Sequence, residues 1–348
     1  MMTLPQAIGL VVDRVDLSRQ QMTEVMRQIM EGQATDAQIG GFLMAMRMKG
    51  ETVDEVTAAV TVMRALSTPV HLDLPHLVDT CGTGGDGASL FNVSTAASFI
   101  VAASGAHVAK HGNRSASSNS GSADVLEAAG VPLTLTPDEV KHSVETVGLG
   151  FMFAKSHHSA MRHAVGARQE LKTRTLFNLL GPMTNPANVT HQVIGLFSAD
   201  VALLMAGVLQ NLGSQHVLLV HSDDHLDEIS IAADTSVTEL KNGNITQYTI
   251  TPEQFGVARQ NLAGLQVTDA SASLDLIEGA LTGKAGDPWD KARDIMVLNA
   301  GAAIYAADIT STLAAGIARA RLLIDNGAAH KKYQDFVAYT QAIENKRS

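Results

Sequence analysis

The first seventy residues carry apolar positions at helical spacing. Met22, Val25, Met26, Ile29 and Met30 fall on one stripe that Gly32 ends, and Ile39, Phe42, Leu43 and Met46 on the next, which Gly50 ends. Three helix starts pair a hydroxyl residue with Gln or Glu three positions on: Ser18 with Gln21, Thr35 with Gln38, and Thr52 with Glu55. In such a capping box each side chain satisfies a free amide at the other's end, which fixes where the helix begins. The even spacing imitates a repeat, but the sequences between the caps are unlike. The segment reads as a small helical bundle, with its methionine stripes as core or dimer seam.

From Leu77 the period changes. Short apolar runs at Leu77 to Cys81, His107 to Ala109, Val193 to Phe197 and Val217 to Val220 alternate with helical stretches. One such stretch opens after Asn92, one spans Ala123 to Ala129, and one runs from about Val201 to Leu212. Thr136-Pro137-Asp138-Glu139 is a further capping box with Pro at the first helical position. This alternation predicts an α/β fold with a largely parallel sheet. Asn242-Gly243 between Thr235 to Leu240 and Ile245 to Ile250 predicts a hairpin at the far end or edge of that sheet. Helices close the chain, with stops at Gly283 and Gly327.

Composition narrows the function. The chain has 348 residues, 45% hydrophobic and 17% charged, with a formal charge of −10. That acidity argues against a general nucleic-acid coat but leaves room for a local basic pocket. Cys81 is the only cysteine, so there is no intrachain disulfide and no cysteine zinc site. No apolar run approaches the roughly 20 residues that span a bilayer. Asp13 and Asp16 follow the apolar Ile8 to Val12 at once, unlike a signal peptide. The expectation is a cytoplasmic protein without a membrane partner.

Two glycine- and hydroxyl-rich loops carry the chemistry. The first reads D-T-C-G-T-G-G-D-G from Asp79 to Gly87, followed by N-V-S-T from Asn92 to Thr95. It is neither a Walker loop nor a dinucleotide fingerprint. Glycines let backbone amides approach an anion, and a helix start adds free amides and hydroxyls. The same residues also suit an ordinary strand-to-helix turn. The second loop reads K-H-G-N-R-S-A-S-S-N-S-G-S-A-D from Lys110 to Asp124, with Lys110 and Arg114 as its cations. A loop this long and polar is functional or disordered. Two such loops suit a ligand with more than one phosphate.

A third constellation is acidic. Asp223, Asp224, Asp227 and Glu228 follow the run Val217 to Val220, at the strand end where open α/β sheets place ligands. Hard carboxylates suit magnesium, although a solvated acidic turn has the same composition. His157, His158 and His163 lack zinc-site spacing, and Cys81 reads as an inert thiol.

As a set, these motifs resemble the anthranilate phosphoribosyltransferases over nearly the whole chain. G-T-G-G-D (Gly82 to Asp86), N-V-S-T, K-H-G-N-R-S-A-S-S (Lys110 to Ser118) and G-S-A-D (Gly121 to Asp124) carry the resemblance. So do R-x-E-L-x-x-R-T (Arg168 to Thr175), N-L-L-G-P-x-T-N-P (Asn178 to Pro186) and L-D-E-I-S (Leu226 to Ser230). The resemblance implies an α/β protein with a small N-terminal helical domain, a large α/β domain with a mostly parallel central sheet, and a cleft at the hinge. The helical domain would span residues 1–72, joined by helices from about 159–190, and the α/β domain 73–348. A homodimer would form through the helical domain.

The implied reaction joins anthranilate to phosphoribosyl pyrophosphate with magnesium, two ions per subunit. By position, Gly82, Gly85, Asp86, Asn92, Val93, Ser94, Thr95, Lys110, His111, Gly112, Asn113, Arg114, Ser115, Ala116, Ser117, Ser118 and Ser122 would contact the donor. Gly82, Asn113 and Arg168 would meet anthranilate. Ser94 would meet one magnesium, and Asp227 and Glu228 the other. Leu90 stands where the family commonly has Thr, Ala167 replaces a Pro, Lys172 and Thr173 replace a Gly and an apolar residue, and His225 replaces a Gly. A pyrimidine nucleoside phosphorylase and an inactive nucleic-acid-binding relative share the architecture and are the rival readings.

Overall fold

The computed structural model describes residues 1–115 and 119–347. Four helices open the chain: α1 (Leu4–Val12), α2 (Arg19–Met30), α3 (Asp36–Lys49) and α4 (Val53–Ala65). All three expected capping boxes form, and Thr3 with Gln6 makes a fourth that opens α1, a helix the apolar stripes did not announce. Glu55 does more than cap. Its Oε2 accepts from the Thr52 amide and Lys49 Nζ, each at 2.9 Å, and its Oε1 from the Leu17 amide at 2.8 Å, and the carboxylate itself is fully buried.

The chain then alternates: β1 (Leu77–Gly82), α5 (Val93–Ala103), β2 (His107–Gly112), α6 (Ser122–Ala128), α7 (Pro137–Val147) and β3 (Leu149–Phe153). A single turn α8 (Ala154–His157), α9 (Arg162–Leu171) and α10 (Leu176–Leu180) lead to β4 (His191–Gly195), α11 (Ala202–Asn211) and β5 (His216–Ser222). The hairpin β6 (Thr235–Lys241) and β7 (Asn244–Ile250) follows. Asn242 and Gly243 turn it with φ of 50° and 78°, the positive pair a type I′ turn needs. Helices α12 (Ala270–Leu281), α13 (Trp289–Ala306), α14 (Leu313–Asp325) and α15 (Ala328–Asn345) finish the chain.

Seven strands form one sheet in the order β3-β2-β1-β4-β5-β6-β7. The first five run parallel, and the hairpin adds two antiparallel strands with β7 at the edge, as expected. Both faces are covered. Val193, Leu218 and Val220 enter a core with α5, α12, α13 and α14, while Ile194, Val217 and Leu219 face the other way. There they share a core with α1 to α4, α9, α10 and α11. Because β1 pairs with both β2 and β4, the strand order reverses between β1 and β4. Ligands of open parallel sheets bind at the carboxyl ends of the strands at such a reversal.

Candidate active site

Both strands at the reversal end in glycine, and the reason is a third segment slotted between them. A Cβ on Gly195 would lie 1.6 Å from the Asp227 carbonyl oxygen, and one on Gly82 would lie 2.4 Å from Asp227 Oδ2. The acidic loop after β5 therefore sits where only glycine leaves room. The first glycine loop wraps over it: Gly84 N donates to Asp227 Oδ2 at 2.9 Å, Thr83 N to Gly195 O at 2.8 Å, and Phe197 N to Thr83 Oγ1 at 2.9 Å.

This packing crowds carboxyls together. Burial, then the nearby Asp86 charge, pushes Asp227 up to about 6. Burial and Asp227 push Glu228 well above the usual carboxylate range, against the pull of Lys110. Such raised values mark a cluster short of positive charge. Its donors are hard oxygens, with Ser94 Oγ beside Lys110, so the residues present fit magnesium. Only half of the acidic run takes part. Asp223 is exposed, and Asp224 accepts from Ser230 Oγ at 2.6 Å.

The cleft at these strand ends has a volume of about 880 Å³. Every expected site residue among the described ones lines it except Thr95, which is buried behind the start of α5. Ala116, Ser117 and Ser118 lie outside the described residues. Asn92 does not cap α5. Its Nδ2 donates to Ser120 O at 3.0 Å and its Oδ1 accepts from Ser120 and Ser273 hydroxyls at 2.8 Å each. The helix start thus lacks a side-chain cap and faces the cleft, the arrangement that suits an anion.

The two cations of the second loop sit differently from the sequence reading. Lys110 is buried at 2% exposure beneath the first loop. Its Nζ donates to Thr80 O and, at 3.3 Å, to Ser94 Oγ, and burial lowers its pKa against the pull of Asp79. Arg114 is paired with acids: Nη1 lies 2.8 Å from Asp124 Oδ1 and 2.7 Å from Glu127 Oε2, and Nη2 2.8 Å from Glu127 Oε1. Asp124 also accepts from the Gly121 amide at 2.9 Å and the Ser115 amide at 3.1 Å. The G-S-A-D motif therefore closes the base of the loop, and Arg114 anchors it to α6.

His111 is held from both sides, Nδ1 at 2.6 Å from Asp79 Oδ2 and Nε2 at 2.9 Å from Gly181 O. Burial alone would raise Asp79, but His111, Lys110 and Asn185 hold it below its usual value. Asp79, Cys81 and His111 are the one trio of possible ligands among the described residues close enough to share an ion. Asp79 and His111 are already bonded to each other, and burial keeps the Cys81 thiol protonated. The expectation of an inert thiol matches that environment.

The opposite chemistry lines the side of the cleft built by α8 to α10. Arg168 of α9 has no carboxylate partner among the described residues; its guanidinium lies 5.2 Å from the Phe177 ring centre, and burial lowers its pKa. A surface salt bridge does not describe it. His158, passed over in the search for zinc spacing, is 9% exposed with Nε2 unpartnered. Burial, then His111 and His157, lowers it to about 4, and the Thr184 backbone bonds the ring. A neutral ring bonded through one nitrogen offers the other as a hydrogen-bond acceptor. Only the His-His pair ten residues before Arg168 hinted at this in the sequence.

The unusual residues find local explanations. Lys172 at φ 46° and His225 at φ 69° both occupy left-handed backbone, where glycine is the unstrained choice. Thr173 accepts a hydrogen bond from Arg47. Leu90 lines the cleft and packs on the large core, and Ala167 is buried in the helical one.

Comparison with known proteins agrees with this geometry. Residues 74–330 match the glycosyl transferase family a/b domain and residues 5–67 its helical bundle domain. An anthranilate phosphoribosyltransferase of Stutzerimonas stutzeri is 57% identical over 343 residues, 99% of each chain. The crystal structure of the Thermus thermophilus enzyme of that name superposes with a TM-score of 0.89 at 38% identity, covering 96% of this chain and 99% of that one. The Saccharomyces cerevisiae enzyme, solved with PRPP and Mg, shares the fold with a TM-score of 0.87 at 24% identity, covering 97% and 98%. With both family domains in order and a full-length relative at this identity, the chain belongs to the anthranilate phosphoribosyltransferases of the glycosyl transferase family.

Proposed function

We infer that this chain transfers the phosphoribosyl group of phosphoribosyl pyrophosphate to the amine of anthranilate, giving N-(5-phosphoribosyl)anthranilate and pyrophosphate in tryptophan biosynthesis. The observation that carries the reading is one cleft with two complementary needs: crowded carboxyls whose pKa values stay raised despite Lys110, and an Arg168 with no carboxylate partner among the described residues. The first suits a metal-bound pyrophosphate and the second an aromatic acid. The full-length relatives carry the transferase name, so neither a nucleoside phosphorylase nor an inactive nucleic-acid-binding relative is favoured.

The amine nitrogen attacks the anomeric carbon of ribose as the bond to pyrophosphate breaks. An aniline nitrogen is uncharged near neutral pH, so positioning and charge stabilisation supply most of the catalysis. Arg168 grips the acceptor carboxylate with its fork. His158 Nε2, uncharged, accepts from the amine and turns its lone pair toward the ribose. The glycine-loop amides and the start of α5 hold the donor phosphates. Asp227, Glu228 and Ser94 would hold magnesium, as two ions, which neutralises charge on the leaving pyrophosphate. Residues 1–72 with the 159–190 segment form the unit that closes on the remainder of residues 73–348.

The same reading has the protein cytoplasmic and a homodimer through its helical unit. Val12, Val15 and Met48 support the latter. They are exposed, and the 2.6 Å Lys49–Asp16 ion pair brings their segments together at one end of the bundle. The test of function is loss of anthranilate fluorescence on mixing the protein with anthranilate, phosphoribosyl pyrophosphate and magnesium. No loss at micromolar protein overturns it.

A further inference from the structure

We propose that Arg174 is a positioning residue for the donor, turning one peptide of the first glycine loop so that its amide faces the phosphates. The inference rests on the transferase reading. Arg174 lies between α9 and α10 and does not line the cleft. Its Nη2 donates to Gly85 O, and its guanidinium stacks 4.3 Å from the Phe197 ring centre. The Phe197 amide in turn holds Thr83 Oγ1 at 2.9 Å, so the loop is gripped at two points by one patch. Arg174 has no carboxylate partner among the described residues, which leaves the carbonyl and the ring as its contacts.

In a trans peptide the carbonyl and the next amide point in opposite directions. Holding Gly85 O outward on Arg174 directs the Asp86 N–H to the other side, toward the cleft that Gly85 and Asp86 line. Gly85 adopts this geometry at φ 80°, open to glycine at little cost. Released, that peptide rotates freely and the anion site loses a donor. The anchor is itself anchored. Arg47 of α3 donates to Thr173 Oγ1 and, at 2.8 Å, to Arg174 O, so the helical bundle reaches the donor loop through residues 173 and 174.

Steady-state kinetics of the parent, Arg174→Ala, Arg174→Lys and Arg47→Ala test the idea. Arg174→Ala is expected to raise the donor KM about tenfold, the loss of one charge-assisted bond. The anthranilate KM stays within twofold and the melting temperature is unchanged. Lysine keeps a donor without the planar stack and restores part of the donor KM; Arg47→Ala gives a smaller rise of the same sign. A donor KM within twofold of the parent in Arg174→Ala, or an equal rise in both constants, overturns the proposal. If Arg174→Ala fails to fold, the Arg174→Lys donor KM decides the same question. A parent without transferase activity overturns the functional reading instead.

Discussion

The two ends of the sheet treat acidic side chains in opposite ways. At the carboxyl ends of the parallel strands, Asp227 and Glu228 crowd beside Asp86 with raised pKa values. At the other end, Glu239 of β6 is also buried, but surrounded by donors. His216 Nε2 lies 3.0 Å from its Oε1, and the Tyr305 and Tyr248 hydroxyls donate to it at 2.7 and 2.9 Å. Burial would raise it, but these partners hold it down at about 2. The other ring nitrogen of His216 meets Asp308 Oδ1 at 2.8 Å, and Lys241 Nζ lies over the Tyr305 ring. Burial alone therefore does not mark a functional acid. An acid buried without its counter-charge does, because the fold has left room for a ligand to bring it.

The sharpest way to break this comparison is to remove both acids of the hungry end. Asp227→Ala with Glu228→Ala should lower turnover by about a thousandfold or more while leaving the melt unchanged or higher, since uncompensated carboxyls stabilise nothing. Turnover within tenfold of the parent, or an unchanged magnesium response, would remove the metal assignment. The satisfied end should behave in reverse. His216→Ala leaves Glu239 short of its main partner and should cost roughly 3 kcal/mol in denaturant unfolding with kcat unchanged. An unaltered denaturation midpoint would show that network to be ornamental.

Arg168→Ala should raise the anthranilate KM about tenfold to hundredfold, the loss of a charge-assisted pair. Aniline, which lacks the carboxylate, should respond little. A double-mutant cycle over both acceptors isolates the coupling, and equal damage to both places the carboxylate elsewhere.

The smallest effect compares the two ends directly by pH. Asp227 titrates near 6 in the fold and near 3.8 as an ordinary carboxyl, so the native state holds a proton the unfolded chain has released. Metal-free stability should fall as pH rises from about 4 to about 6, by roughly 1 kcal/mol after solvent screening. Glu239 acts with the opposite sign: its contribution is present above its ordinary value of 4.5 and lost as pH falls toward about 2. Asp227→Asn should reduce the first slope in thermal melts, leaving the part that the raised Glu228 contributes, and spare the second. An unchanged slope would assign it to another group.

What the sequence made legible was local. A capping box spans four residues, so Ser18, Thr35, Thr52 and Thr136 announced their helices. β3 gave no such notice, because a five-residue apolar run after a helical stretch cannot be told from buried helix by its periodicity. The loops and their charges were visible, but not their partners. Nothing near Arg114 says that Glu127 will take its charge while Arg168 goes without, and nothing near Asp86 says that Asp227 will arrive beside it through the reversal of strand order. His158 was visible only as one histidine of a pair. Its meaning depended on burial, which is a property of the assembled walls.

Those walls come from different cores. The residues proposed to face the acceptor, Arg168, His158 and Phe177, stand on or beside helices rooted in the bundle-side core, whereas the loops proposed to hold the donor spring from strands and from α5 on the opposite core. Apart from the link through Arg47, Thr173 and Arg174 to the first glycine loop, changes of shape on one side need not travel to the other. A lineage of such enzymes could trade one aromatic amine for another by repacking a few bundle residues, while the machinery for activated ribose passes on untouched.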